Sequence, residues 1–141
     1  MEVLITSLLR SRLAESTTLA ADDLISSFAA WKHNKLTESY YYGKDGLNRN
    51  STVLRHVHLP PCSDEFDLQQ WDRNWTKYRG RTSDRYLFYV DRGLDRYLLL
   101  YIVDDPGAHT FLSEPNQTQL AILKELEDIA DLYFYSGKVS C

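Results

Sequence analysis

Cysteine is scarce: the 141 residues hold two, Cys62 and Cys141. One lies beside Pro60-Pro61 and the other is the last residue, so they make no disulfide framework. No CxxC pair is present, which excludes a zinc knuckle, and a reducing cytoplasm is the expected location. No apolar run approaches membrane-spanning length, so no membrane association is expected. Met1 to Leu9 is apolar but has neither a basic flank nor a small-residue cleavage site; it is expected to be a first strand rather than a secretion signal. Positive charge is not in excess. A formal net charge of −4 argues against broad, non-specific nucleic-acid binding, although it leaves room for a local basic patch. The P-loop, GxGxxG, GxSxG and HExxH patterns are all missing, which turns the reading away from nucleoside triphosphate and dinucleotide chemistry. There are no internal repeats and no low-complexity segments.

What is present suits one folded domain over residues 1–141. Hydrophobic residues make up 43% and aromatics 13%, enough for a sizeable core and against disorder. The centre of the pattern is 81–109. Tyr86 to Val90 reads as a strand, Asp91 to Asp95 as a polar hairpin loop around Gly93, and Tyr97 to Val103 as a strand covered on both faces. Asp104-Asp105-Pro106-Gly107 then ends it as a tight turn. This hairpin is expected to be the middle of a sheet.

Around it, Val3 to Leu9 reads as a strand. A helix follows, with Thr18 as N-cap, Asp22 and Asp23 in its first turn, and Asn34 at its stop. Ala21, Leu24, Ile25, Phe28 and Trp31 form its apolar face. Tyr40 to Gly46 reads as a loop with Lys44 and Asp45 exposed. Thr52 to Leu59 reads as a strand ended by Pro60-Pro61, with Leu54, His56 and His58 on one face and Val53, Arg55, Val57 and Leu59 on the other. Residues 62–80 carry Leu68, Trp71, Trp75 and Tyr78 at helical spacing, an aromatic row expected to pack on the core. A last helix, Gln117 to Tyr135, is capped by Ser113 or Asn116 and stopped by Gly137. The order predicts an α+β fold: a small, mainly antiparallel sheet with two or three packed helices.

Three places could carry chemistry. His56-x-His58 puts two imidazoles on one strand face, about 7 Å apart at their Cα atoms. Imidazole titrates near neutral pH, so the pair can share acid and base work; with His109 it could instead hold a metal, though no further ligand pattern supports that. The segment Arg79-Gly80-Arg81-Thr82-Ser83-Asp84-Arg85 is the densest positive cluster. An arginine fork fits a phosphate, which makes Arg79, Arg81 and Arg85 candidate phosphate ligands, with Asp84 orienting one guanidinium or capping the turn. Lys44 could approach a phosphate from its loop, and Tyr86 could donate a hydrogen bond or stack. The third place is His109, after the turn at Pro106-Gly107.

Leu24-Ile25-Ser26, Gly43-Lys44-Asp45, His56-Val57-His58-Leu59, Arg81-Thr82-Ser83-Asp84, the run Leu98 to Val103, and Pro106-Gly107-Ala108-His109 occur in the order seen in the YafO family, which the chain resembles over nearly its whole length. The family's Gly-Arg-Asp triplet stands here as Gly43-Lys44-Asp45. The resemblance implies a toxin of a bacterial type II toxin–antitoxin system: an endoribonuclease that cleaves mRNA on the translating ribosome and is silenced by a cognate antitoxin. It also implies a RelE-like fold, and no cofactor is expected. The residue roles rest on chemistry. His56 and His58 are the expected acid–base pair, Arg81 the phosphate stabiliser oriented by Asp84, His109 a reserve acid, and Lys44, Arg79, Arg85 and Tyr86 substrate contacts. Two rival readings stand beside this one. The first is a non-catalytic acidic protein that masks a basic partner by charge complementarity. The second is a small metallo-hydrolase built on His56, His58 and His109.

Overall fold

The hairpin is the middle of a five-stranded sheet in the computed structural model, which describes residues 1–15, 19–34, 39–74 and 81–140. The elements in chain order are β1 (Glu2–Ile5), α1 (Ser7–Ala14), α2 (Ala21–His33), β2 (Asp45–Leu47), β3 (Arg55–His58), α3 (Glu65–Asn74), β4 (Tyr86–Gly93), β5 (Arg96–Val103), α4 (Ala108–Ser113) and α5 (Gln117–Ser136). The strands lie in the order β1-β5-β4-β3-β2. Only the β1–β5 pair is parallel; the other three pairs are antiparallel. The fold is α+β, as expected, and is consistent with a small RelE-like sheet, although the described residues form five helices rather than two or three.

Each face of the sheet carries its own core. On β4, Tyr86, Phe88 and Val90 face α4 and α5, where they meet Phe111, Leu126, Ile129, Ala130 and Tyr133. Leu87 and Tyr89 face the other way, toward Leu9, Leu13, Leu24 and Phe28 of α1 and α2. Both strands of the hairpin are therefore covered twice, which is why β5 reads as an unbroken apolar run. Phe88 pairs with Tyr101 and Tyr89 with Leu99, so Leu100 is an extra residue that bulges the ladder. The hairpin loop is shorter than expected. The ladder runs on through Asp91 to Gly93, and only Leu94 and Asp95 turn, both at positive φ (55° and 58°). That is the backbone a two-residue hairpin needs to match the strand twist.

Local chemistry explains the remaining differences from expectation. Val3 to Leu9 is not one strand: Thr6 ends it. Its hydroxyl accepts from the Leu9 amide at 3.0 Å, capping α1, and donates to the Leu100 carbonyl at 2.8 Å. Thr52 to Leu59 is ordered as a strand only from Arg55, because Ser51 folds the chain back: its Oγ accepts from the amides of Val53 and Leu54. Val53 and Leu54 consequently both enter the α5-facing core instead of opposite faces. The supposed loop at Tyr40 to Gly46 contains the start of edge strand β2, and Asp45 is not free in solvent. Its carboxylate accepts from Tyr89 Oη at 2.6 Å and from Lys32 Nζ at 3.3 Å, tying β2 to α2 and β4.

The helical readings hold where they can be compared. In α5, Asn116 is the cap: its Oδ1 accepts from the Gln119 amide while Gln119 Oε1 accepts from the Asn116 amide, both at 2.9 Å. Gly137 ends it at φ 77°. Helix α2 ends at Asn34, but it begins after Ala20, and Thr18 lies outside the described residues. Helix α3 occupies part of 62–80, and its Trp71 is buried. Trp75 and Tyr78 fall outside the described residues. No helix is long and apolar enough to cross a membrane among the described residues.

Candidate active site

Helix α5 packs on β4 and β5, so the same face of β3, next in the sheet, lies beyond that pairing. His56 and His58 point from that part of β3 into a cavity of about 730 Å³. Its wall includes Lys44, Arg49, Asp84, Tyr86 and His109 together with the two imidazoles. The residues come from β2 and its flanks, β3, the segment before β4 and the first residue of β4, and α4. The topology thus gathers Lys44, His56, His58, Asp84, Tyr86 and His109, all anticipated, at the open end of the hairpin.

The two imidazoles are 5.7 Å apart at their centroids and share Tyr86 as a neighbour, each at 4.6 Å from its ring. His56 Nδ1 is bonded to Asn48 Oδ1, a buried side-chain amide. With the amide oxygen as acceptor, Nδ1 would carry the proton, leaving Nε2 free to act as a base. His58 Nδ1 lies 2.8 Å from the Ser83 amide nitrogen and 2.9 Å from the Ser83 carbonyl oxygen. Nδ1 can accept from the Ser83 N–H in the neutral ring, which puts the proton on Nε2, or donate to the Ser83 carbonyl when protonated. Both Nδ1 atoms are thus engaged by protein groups. Burial, then the neighbouring His58, lowers His56 to about 4. Burial also lowers His58, against the raising effect of Ser83. Burial, then Asp84, pushes the Tyr86 phenol up.

Asp84 does something different from the expected orientation of Arg81. Its Oδ2 accepts from the Gly107 amide at 2.6 Å and its Oδ1 from the His109 amide at 2.7 Å. The carboxylate thereby caps α4 across the hairpin and fixes the backbone that carries His109. His109 sits on this short helix rather than in a turn, with an exposed side chain at the cavity rim.

The arginines do not gather as expected. Arg81 is 3% exposed, and its guanidinium lies 4.2 Å from the centre of the Trp71 ring. Its Nη2 donates to the Ser39 carbonyl at 2.5 Å. It lines a neighbouring hollow with Asp67 and Asp105, not the imidazole cavity. Arg85 also serves packing: Nε donates to Asp104 at 2.9 Å and Nη1 to the Pro60 carbonyl at 3.1 Å. Arg79 lies outside the described residues. The guanidinium at the cavity is Arg49, exposed in the turn between β2 and β3. No pattern of spacing singled it out; only its closeness in sequence to His56 hinted at it.

Gly43 explains why the Gly43-Lys44-Asp45 motif begins with glycine. A Cβ there would lie 2.3 Å from the Arg81 carbonyl oxygen and 2.7 Å from Trp71 Cη2. That close approach lets the Lys44 amide donate to the Arg81 carbonyl at 2.7 Å, while the His58 amide donates to the Lys44 carbonyl at 2.9 Å. Lys44 is thus held between the arginine segment and β3. Among the described residues, no group of three or more His, Cys, Asp or Glu side chains is arranged to hold a metal ion, so His56, His58 and His109 do not form the metal site considered above.

The family described as "Toxin YafO, type II toxin-antitoxin system" matches residues 29–135. No curated protein and no solved structure gives a match.

Proposed function

The chain belongs to the family of YafO toxins of type II toxin–antitoxin systems, and so has a cognate antitoxin as partner; on that basis we propose that it is an endoribonuclease cutting mRNA held by the ribosome, through metal-independent attack of a 2′-hydroxyl. The observation that carries this reading is the pair of imidazoles, each held at Nδ1 by the protein, opening on one cavity with Lys44 and Arg49 at its wall.

In the proposed reaction, His56 Nε2 takes the proton of the 2′-hydroxyl, and the 2′-oxygen forms a bond to the adjacent phosphorus. The bond from phosphorus to the 5′-oxygen breaks, and His109 gives that oxygen a proton. The products are a 2′,3′-cyclic phosphate and a 5′-hydroxyl. His58, protonated on Nε2, donates a hydrogen bond to a phosphorane oxygen, and the charges of Lys44 and Arg49 oppose the developing negative charge. These two cations take over the duty first assigned to Arg81. Asp84 is a positioning residue that acts through the backbone of His109. An entering phosphate raises the affinity of both buried imidazoles for protons, so the substrate itself strengthens His56 as a base. The ribosome supplies the message in place, which reconciles RNA cleavage with a net charge of −4.

The test is a purified translation reaction in which cuts in the message are mapped by primer extension. Wild type should cut the message, and the His56→Ala/His58→Ala double variant should leave it intact while remaining folded. Intact message with folded wild type, or full cutting by the double variant, refutes the proposal. Induced expression separates it from the neutralising-binder reading: the nuclease arrests growth, and a binder is harmless.

A further inference from the structure

Beyond His56 and Tyr86 the imidazole cavity meets a second hollow of about 810 Å³, with Arg49, His56, Tyr86 and His109 in both walls. The size falls within the roughly 300–1,000 Å³ typical of small-ligand sites. A strand whose phosphate sits at His56 must pass through one of the adjoining hollows. The hollow on the Arg81 side sets three carboxylates, Asp67, Asp84 and Asp105, against the single guanidinium of Arg81, a balance that repels a phosphate chain. The second hollow presents two cations, Arg49 and Lys124, against one carboxylate, Glu127. It also has an apolar wall that the fold leaves uncovered: Leu120, on the first turn of α5, is 54% exposed.

We infer that this second hollow is a subsite for one base of the substrate strand, and that Lys124 and Glu127 make it select guanine. The inference rests on the ribonuclease reading for the nature of the strand. Lys124 and Glu127 stand three residues apart on α5, so they project from one side of the helix, and both line the hollow. Glu127 is held by the Ser51 hydroxyl, which donates to Oε2 at 3.2 Å. A fixed carboxylate accepts from two adjacent donors, and an ammonium beside it donates to one acceptor. Guanine presents that set along one edge: N1–H and N2–H beside O6. Adenine, cytosine and uracil each place an acceptor where one of the two donors is needed. Leu120 covers the face of the base, which gives affinity without discrimination.

The experiment is an NMR titration of the full-length protein with 5′-GMP, AMP, CMP and UMP, each taken to about 10 mM, a range that detects millimolar binding. Shifts should map to the amides of 120–127, with GMP bound about tenfold more tightly than AMP, as expected for loss of hydrogen bonds to a charged group. Glu127→Gln keeps an acceptor for Ser51 and should abolish the preference. Leu120→Ala should weaken all four nucleotides alike. Equal binding of the four, absence of binding, or an unchanged preference in Glu127→Gln overturns the inference. Because this readout needs no cleavage, guanine-selective binding by a protein that cuts no message would sink the nuclease reading and leave the subsite standing.

Discussion

Replacing Gly43 with alanine is the sharpest steric test of how the site is held. The added Cβ would sit 2.3 Å from a backbone oxygen and 2.7 Å from an indole carbon, separations that real Cβ atoms do not show. The nearer atom belongs to Arg81 backbone, so no side-chain rotation relieves the clash; the backbone before β2 and the Arg81 segment must part. Overpacking of this kind costs about 1–3 kcal/mol. The separation also strains the hydrogen bond from the Lys44 amide to the Arg81 carbonyl, now 2.7 Å, whose net value is about 1 kcal/mol. Trp71, shifted from the Arg81 guanidinium 4.2 Å away, forfeits about 0.5–2 kcal/mol more. Together these come to about 2.5–6 kcal/mol, or a fall in Tm of roughly 8–20 °C for a chain of this size. The control is Gly46→Ala, whose Cβ would meet nothing within 4 Å and whose stability should change by less than about 1 kcal/mol. Thermal unfolding followed by circular dichroism reads both. A Gly43→Ala variant that melts with wild type, or a Gly46→Ala variant that falls equally far, would refute the argument.

Three further outcomes follow from the same geometry. Burial holds the folded His56 at about 4 against an ordinary value of 6.5, so the unfolded chain binds its proton at the higher pH. The His56 contribution to stability is complete above the ordinary value and declines as pH falls toward the folded one; denaturant titrations from neutral to mildly acidic pH should show a shallower decline in His56→Gln, and an identical one would count against it. Asp84→Ala leaves the Gly107 and His109 amides without their acceptor, costs about 1–3 kcal/mol, and should slow message cutting by about tenfold or more under conditions where the variant stays folded; unchanged cutting would remove Asp84 from the positioning role. Arg81→Lys should lower the unfolding free energy by about 1–2 kcal/mol through loss of planar stacking on Trp71, yet leave cutting intact where the variant is folded; loss of cutting without loss of stability would return Arg81 to the chemistry.

The elements visible in sequence were those whose signal is local. The hairpin announced itself through an aromatic strand, a polar turn and an apolar run, and α5 through its periodicity, Asn116 and Gly137. What was hidden depends on partners distant in the chain. Helix α1 looked like strand because Thr6, a β-branched residue, serves as its cap while bonding to Leu100. Helix α4 has only six residues, and its capping carboxylate is Asp84, on the far side of the hairpin. Strand β2 is three residues long with a glycine inside, and Asp45 holds it through Tyr89 and Lys32 rather than through any local pattern. The candidate site divides the same way. His56 and His58 share a face by the period of two, but whether Arg81 meets them depends on Trp71, which takes the guanidinium into the packing. Arg49 lacks any neighbouring cation and looked like an ordinary turn residue, although the fold sets it at the cavity wall.

The claim that the 2′-hydroxyl is the nucleophile, activated at the imidazole cavity, is tested most directly by a message carrying a single 2′-deoxynucleotide on the 5′ side of a mapped cut. Ribosomes loaded with that message and with its all-ribose counterpart are treated with wild-type protein, and the fragment ends are identified by mass spectrometry. The account predicts that the ribose message yields a 2′,3′-cyclic phosphate and a 5′-hydroxyl, while the deoxy position stays uncut. Cutting at the deoxy position, or fragments ending in a 3′-hydroxyl and a 5′-phosphate, would contradict it.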